Sequence, residues 1–85
     1  MSMRFPGIAG KVKVFDEEGT IVITGDPEGL RSLGALLMWL GDADLEQWPY
    51  LRPGGRAHIH LYPKSDLLEE SRKVELTRLD AKGGK

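Results

Sequence analysis

Thr20-Ile21-Val22-Ile23-Thr24-Gly25-Asp26-Pro27-Glu28-Gly29-Leu30 decides the fold, because two kinds of local structure meet inside it. Residues 20–24 are an unbroken β-branched run, which suits a pleated strand better than a helix. Gly25-Asp26-Pro27-Glu28 reverses that preference. Asp26 can accept hydrogen bonds from the free amides of a first helical turn, Pro27 fits the first helical position, and Glu28 sits near the positive end of the helix dipole. A helix of about four turns starts at Asp26 or Pro27, and at 100° per residue Leu30, Leu33, Leu37 and Leu40 share an arc of about 80°. That arc is the expected core face. Gly34 lies beside it and is read as the point where the helix approaches a sheet closely. Gly41 ends the helix, or Leu45 and Trp48 prolong it.

Upstream, Lys11-Val12-Lys13-Val14 alternates with period two and predicts a strand. The Asp16-Glu17-Glu18-Gly19 connection closes on a glycine, so the first two strands form an antiparallel hairpin. Val12, Val14, Ile21 and Ile23 then share one face, with Phe15 and Val22 on the other. Downstream, Pro49 to Gly55 reads as a loop, and Trp48, Pro49 and Tyr50 as packing at the helix exit. Residues 56–62 alternate Ala57, Ile59 and Leu61 against His58, His60 and Tyr62, and stop at Pro63. Residues 64–71 read as a long loop or short helical turn, and 73–79 as a last strand, which adds Val74 and Leu76 to the expected core. The order strand, strand, helix, strand, strand predicts an α+β two-layer sandwich, a four-stranded mainly antiparallel sheet with one helix on one face. Residues 10–79 form the single domain, with an amino-terminal arm at 1–9 and a flexible tail at 80–85.

The chain has 85 residues, room for one core only. At 40% hydrophobic and 29% charged residues it has the balance of a folding, water-compatible domain. It contains no cysteine, which excludes a disulfide framework, a thiolate metal site and a cysteine nucleophile. No apolar stretch near the amino terminus is long enough for a secretory signal, and the chain is read as cytoplasmic. The formal charge of −1 conceals segregation, since residues 16–46 carry eight acids against Arg31 alone. Phosphate binding needs clustered basic residues, so a nucleic-acid partner is not expected, nor is a membrane one. A basic protein partner suits the acidic segment better.

Candidate chemistry is sparse. His58 and His60 share one strand face and could supply two metal ligands or an acid/base pair, but no third donor is marked by spacing, so no metal site or cofactor is assigned. The serines sit in no strained elbow, and Gly54-Gly55 is followed by no helix that could aim amides at a phosphate. No catalytic residue is assigned. Trp39 falls opposite Leu30 on the helical wheel among Glu28, Asp42 and Glu46, and exposed tryptophan beside acids points to a protein partner. The expected binding residues are Phe15, Val22, His58, His60 and Tyr62 on an open sheet face, with Trp39 and Asp42 on the outer helix face. The sheet face is favoured, because large apolar patches on small proteins meet partners.

Taken together, the Gly25-Asp26-Pro27-Glu28-Gly29-Leu30 start, the Leu33-Gly34-Ala35-Leu36-Leu37-Met38-Trp39-Leu40 helix and the His58-Ile59-His60-Leu61 strand resemble the immunity protein 32 family of bacterial polymorphic toxin systems. The resemblance runs from about Val12 to Leu79. It implies a small cytoplasmic α+β protein that binds and neutralises a cognate toxin, without enzymatic activity or cofactor, and it assigns no binding residue. Two other readings stand beside it. One is a small metal-dependent or acid/base enzyme using His58 and His60; the other is a structural homodimer whose sheet face or edge is covered by a second copy.

Overall fold

The computed structural model describes residues 6–83. Residues 1–5 of the expected amino-terminal arm and 84–85 of the expected tail lie outside them. Two strands, β1 (Val12–Glu17) and β2 (Thr20–Gly25), precede helix α1 (Pro27–Asp42), and β3 (His58–Leu61) and β4 (Val74–Thr77) follow after a 3₁₀ turn at Leu45–Gln47. The chain is α+β in the expected order. The four strands, however, form two two-stranded antiparallel sheets, β1-β2 and β3-β4, and not one four-stranded sheet.

The reason lies along the second edge of β1. Leu68 donates its amide to the Val12 carbonyl at 2.8 Å and Arg72 to the Val14 carbonyl at 2.7 Å. The Ser71 hydroxyl, buried, accepts the Val14 amide at 3.1 Å. The irregular segment 68–72 therefore consumes the edge that β3 or β4 would need, and no single open sheet face spans both hairpins.

The first hairpin turns at Glu18 and Gly19, both at positive φ (51° and 87°), the backbone that a two-residue primed turn requires. The Asp16 carboxylate accepts the Gly19 amide at 3.0 Å and fixes the turn. The register pairs Val14 with Ile23 and Phe15 with Val22, as the alternation predicts.

At the start of α1, Asp26 is the cap. Its Oδ1 accepts the Gly29 amide at 2.7 Å and the Lys11 amide at 3.0 Å, tying the helix to the open end of the hairpin. These amides, Lys11 first, hold the Asp26 carboxyl below the usual carboxylate range. Gly29 is buried against the Lys11 carbonyl so closely that a Cβ there would overlap it. That junction sets the helix phase. The buried face runs through Gly29, Leu36 and Leu40, with Leu33 half-buried beside it. It is rotated by about 50° from the expected arc.

Three expectations are corrected in consequence. Leu30 and Leu37 are exposed, both at 46%. Gly34 has nothing within 4 Å of its missing Cβ, so the close approach belongs to Gly29. Trp39 is no longer opposite the core but on its flank, half-buried and edge-on to Trp48 with ring centroids 5.5 Å apart.

The core lies between β1, α1 and β3, where Val12, Val14, Leu36, Leu40, Ile59 and Leu61 meet Leu45, Ala57 and Leu67. Val74 and Leu76 are half-buried against it. Ile21 and Ile23, expected inside, are exposed at 62% and 53% because β2 lies beyond the reach of this core. Tyr50, expected to pack at the helix exit, is exposed as well. In the segment expected to be a flexible tail, Lys82 exchanges backbone hydrogen bonds with Gly54 and Gly55, and its ammonium donates to the Trp48 and Leu51 carbonyls at 2.9 and 2.8 Å.

Candidate partner-binding surface

The seven residues singled out in the sequence fall into three groups. His58, His60 and Tyr62 come together on the outward side of β3, because alternation that sends Ile59 and Leu61 into the core must send their neighbours out. Their rings form a ladder. His58 and His60 meet edge to face at 5.1 Å between centroids, and His60 stacks on Tyr62 at 6.0 Å. The β4 register brings polar groups against this ladder, with Glu75 opposite His60 and Thr77 opposite His58. His60 Nε2 lies 3.9 Å from Glu75 Oε1, and the Lys73 ammonium sits 5.5 Å from the Tyr62 ring centroid. The Thr77 hydroxyl, which donates to Glu75, is the main reason that carboxyl is held below its usual range, with His60, His58 and Lys73 adding to it. His60 Nδ1 is shielded from solvent and has no hydrogen-bond partner among the described residues.

Phe15 and Val22 form the second group, a cross-strand pair on the outward face of the first hairpin. Both are half-buried, and the Lys13 ammonium lies 4.9 Å from the Phe15 ring centroid. The third group is Trp39 with Asp42 on α1. Asp42 is exposed at the last turn, whereas Trp39 packs as described.

Sequence reasoning passed over the residue that secures this end of the helix. The last turn of α1 contains no basic side chain, and Asp44 follows it closely. Arg78, just past β4, supplies the missing cation. Its guanidinium donates to the Ala43 carbonyl at 2.6 Å and the Leu40 carbonyl at 3.1 Å, satisfying helix-end groups that have no internal partner. Asp80 holds Arg78 by two further bonds of 2.9 and 2.6 Å, and this pairing raises the guanidinium pKa and lowers that of the carboxyl. The signal available was the absence itself, a helix end rich in acids that needs a cation from elsewhere.

A cleft of about 320 Å³ lies beneath the first hairpin, floored by Val14, Ile21, Ile23 and Val74 and rimmed by Arg72 and Lys73. Its lining is largely apolar and holds no histidine. The two histidines sit on the ladder outside it, and no group of three or more His, Cys, Asp or Glu side chains that could hold a metal is gathered among the described residues. No described helix is long and apolar enough to cross a membrane.

These features define a small α+β domain built from one capped helix and two hairpins, with rings and charges on its outward faces. The model of the immunity protein 32 family matches residues 20–78, from the start of β2 to just beyond β4, and the chain belongs to that family. No curated protein and no solved structure matches it.

Proposed function

We propose that this chain is a non-enzymatic immunity protein that binds and neutralises a cognate protein toxin in the cytoplasm, using no cofactor. The match to the immunity protein family over residues 20–78 carries this reading. The contact surface is the His58, His60 and Tyr62 ladder, with Phe15 and Val22 as a second patch. Aromatic rings already stacked lose little rotamer freedom on docking, and tyrosine is enriched among residues that dominate binding energy. The exposed acids of the helix end, Asp42 among them, steer a basic partner toward the domain.

Producing a cognate toxin in cells, with and without the chain, tests both parts. Wild-type chain should restore growth, and a Tyr62→Ala, His60→Ala double variant that keeps its circular dichroism should lose at least tenfold in protection. Cells that die despite folded wild-type chain would overturn the function. Full protection by the double variant would move the contact surface elsewhere.

A further inference from the structure

The sequence pattern asks for more buried apolar surface than one copy of the chain supplies. Ile21, Ile23, Leu30 and Leu37 occupy positions that periodicity assigns to a core, and all four are exposed, by 62%, 53%, 46% and 46%. The two isoleucines and Leu30 meet at the Gly25 end of β2 along one row. Ile21 and Ile23 lie on the same face as buried Val14, and Gly25 continues that row along β2. Leu30 Cδ2 stands 3.5 Å from where a Cβ on Gly25 would be, and Leu37 lies on the same flank of α1 as Leu30.

Beside this patch runs an open backbone edge. Among the described residues β2 pairs with β1 alone, and no other backbone hydrogen bond reaches residues 20–25. In a hairpin closed by a two-residue turn the flanking pair, here Glu17 and Thr20, exchanges its hydrogen bonds, so Ile21 and Ile23 turn their amides and carbonyls outward. Natural edge strands are usually blunted by lysine, proline, a bulge or an inward charge. Thr20-Ile21-Val22-Ile23-Thr24 has no lysine, proline or charge, and its register with β1 runs without a bulge.

We infer that the edge of β2 is a homodimer interface, in which two copies pair antiparallel about a two-fold axis through Val22. The occupant is identified by the strand itself, since Thr20-Ile21-Val22-Ile23-Thr24 reads the same in both directions. Pairing about Val22 sets Thr20 against Thr24 of the second copy, Ile21 against Ile23, and Val22 against itself, so like meets like along the whole edge. A two-fold axis normal to the sheet keeps both helices on one face. The exposed flanks carrying Leu30 and Leu37 then face each other above the four isoleucines, and Gly34 offers no side chain to hold them apart. Charge fits the same arrangement. Antiparallel pairing lays the acidic hairpin tip, Asp16-Glu17-Glu18, alongside the end of the other hairpin that carries Lys11 and Lys13. In the row that crosses the four strands, Glu17 of one copy and Lys13 of the other are the outer members. The dimer does not depend on the toxin reading; it leaves the His58 to Tyr62 ladder free and takes Val22 of the second patch into its seam.

The full chain carries no cysteine, so a single Val22→Cys variant tests the axis directly. Mild oxidation should convert it to a disulfide-linked dimer, whereas Tyr50→Cys, at an exposed position away from β2, should stay largely uncrosslinked. Sedimentation equilibrium of the wild type should report twice the 9.4 kDa chain mass at tens of micromolar. Ile23→Lys, at a position exposed in one copy, should weaken association at least tenfold without changing the circular dichroism. Amide exchange at Ile21 and Ile23 should slow as wild-type concentration rises, a readout that needs no variant to fold. A wild type that sediments as a monomer at every concentration would overturn the inference, including the case in which a toxin strand takes this edge instead. A dimer that survives Ile23→Lys, or whose Ile21 and Ile23 amides exchange freely, would place the interface elsewhere and overturn it equally.

Discussion

The two hairpins are built on the same plan and end in different environments. Each is an antiparallel pair that turns aliphatic residues to one face, and the first pairs in the register its alternation predicts. Yet Ile59 and Leu61 on β3 are 4% and 3% exposed, while Ile21 and Ile23 on β2 are more than half exposed. Alternation fixes which residues share a face; it does not say whether anything covers that face. Coverage depends on where the helix and loops fall. Here the buried leucines of α1, Leu36 and Leu40, cluster with Val12 and Val14 of β1 and Ile59 and Leu61 of β3, and no β2 residue joins that cluster, so β2 is left at the rim.

The sharpest test of this contrast compares one isoleucine from each hairpin. Ile59→Ala should destabilise the protein by about 2–5 kcal/mol, because it leaves a cavity among fully packed neighbours. Ile23→Ala should cost less than about 1 kcal/mol at protein concentrations low enough to keep single copies apart, since little buried surface is lost. Urea unfolding of both variants reads the difference. Equal losses would mean that β2 is covered within one copy after all.

A second, smaller effect concerns what joins the hairpins. Segment 68–72 is bonded to β1 on one side and leads into β4 on the other, with the buried Ser71 hydroxyl accepting the Val14 amide. Ser71→Ala should cost about 1–3 kcal/mol, the penalty of leaving a buried donor unpaired. Hydrogen exchange at Val14 should accelerate in that variant more than exchange in β3. Unchanged protection at Val14 would show that the segment is not what occupies this edge.

Much of the architecture was legible because it rests on local chemistry. The turn at Glu18-Gly19, the cap at Asp26 and the register of the first hairpin follow from residues within a few positions of one another. The helix phase did not follow, because Gly29 has to meet the Lys11 carbonyl, a demand made by a residue far back in the chain. The arc of Leu30, Leu33, Leu37 and Leu40 put Gly34 toward the sheet and Trp39 opposite, and the rotation imposed at Gly29 displaces all of these together. The single four-stranded sheet failed for a related reason, since segment 68–72 reads as loop in sequence while acting as the neighbour of β1. On the candidate surface, alternation along β3 was enough to group His58, His60 and Tyr62. The Lys73 and Glu75 contacts needed the β4 register, and Arg78 was out of reach because its acceptors lie 35 and 38 residues away.

The smallest effect expected at neutral pH probes the polar tie that holds the first hairpin to α1. Asp26 accepts the Lys11 and Gly29 amides, and its carboxyl is held below the ordinary range by them. A carboxylate whose pKa is depressed in the folded state stabilises fully above its unfolded pKa, near about 4. That stabilisation is lost as the pH falls through the lower folded value. Asparagine accepts the same amide bonds at a helix cap but does not titrate in this range. Asp26→Asn should therefore unfold close to the wild type at pH 7 and show a shallower fall in stability through the acid limb. Thermal unfolding of both proteins as the pH is lowered from neutral toward about 3 measures it, with the unfolded carboxyl near 4 as the reference point. Parallel acid limbs would mean that Asp26 titrates as a free carboxylate and does not tie the hairpin to the helix. A variant that is already unstable at neutral pH would mean that the charge, beyond the hydrogen bonds, holds the helix start, as the dipole would require. Among the described residues the second hairpin has no such tie between its strands and a helix start, so it should keep its exchange protection in acid after the Lys11 and Gly29 amides have lost theirs.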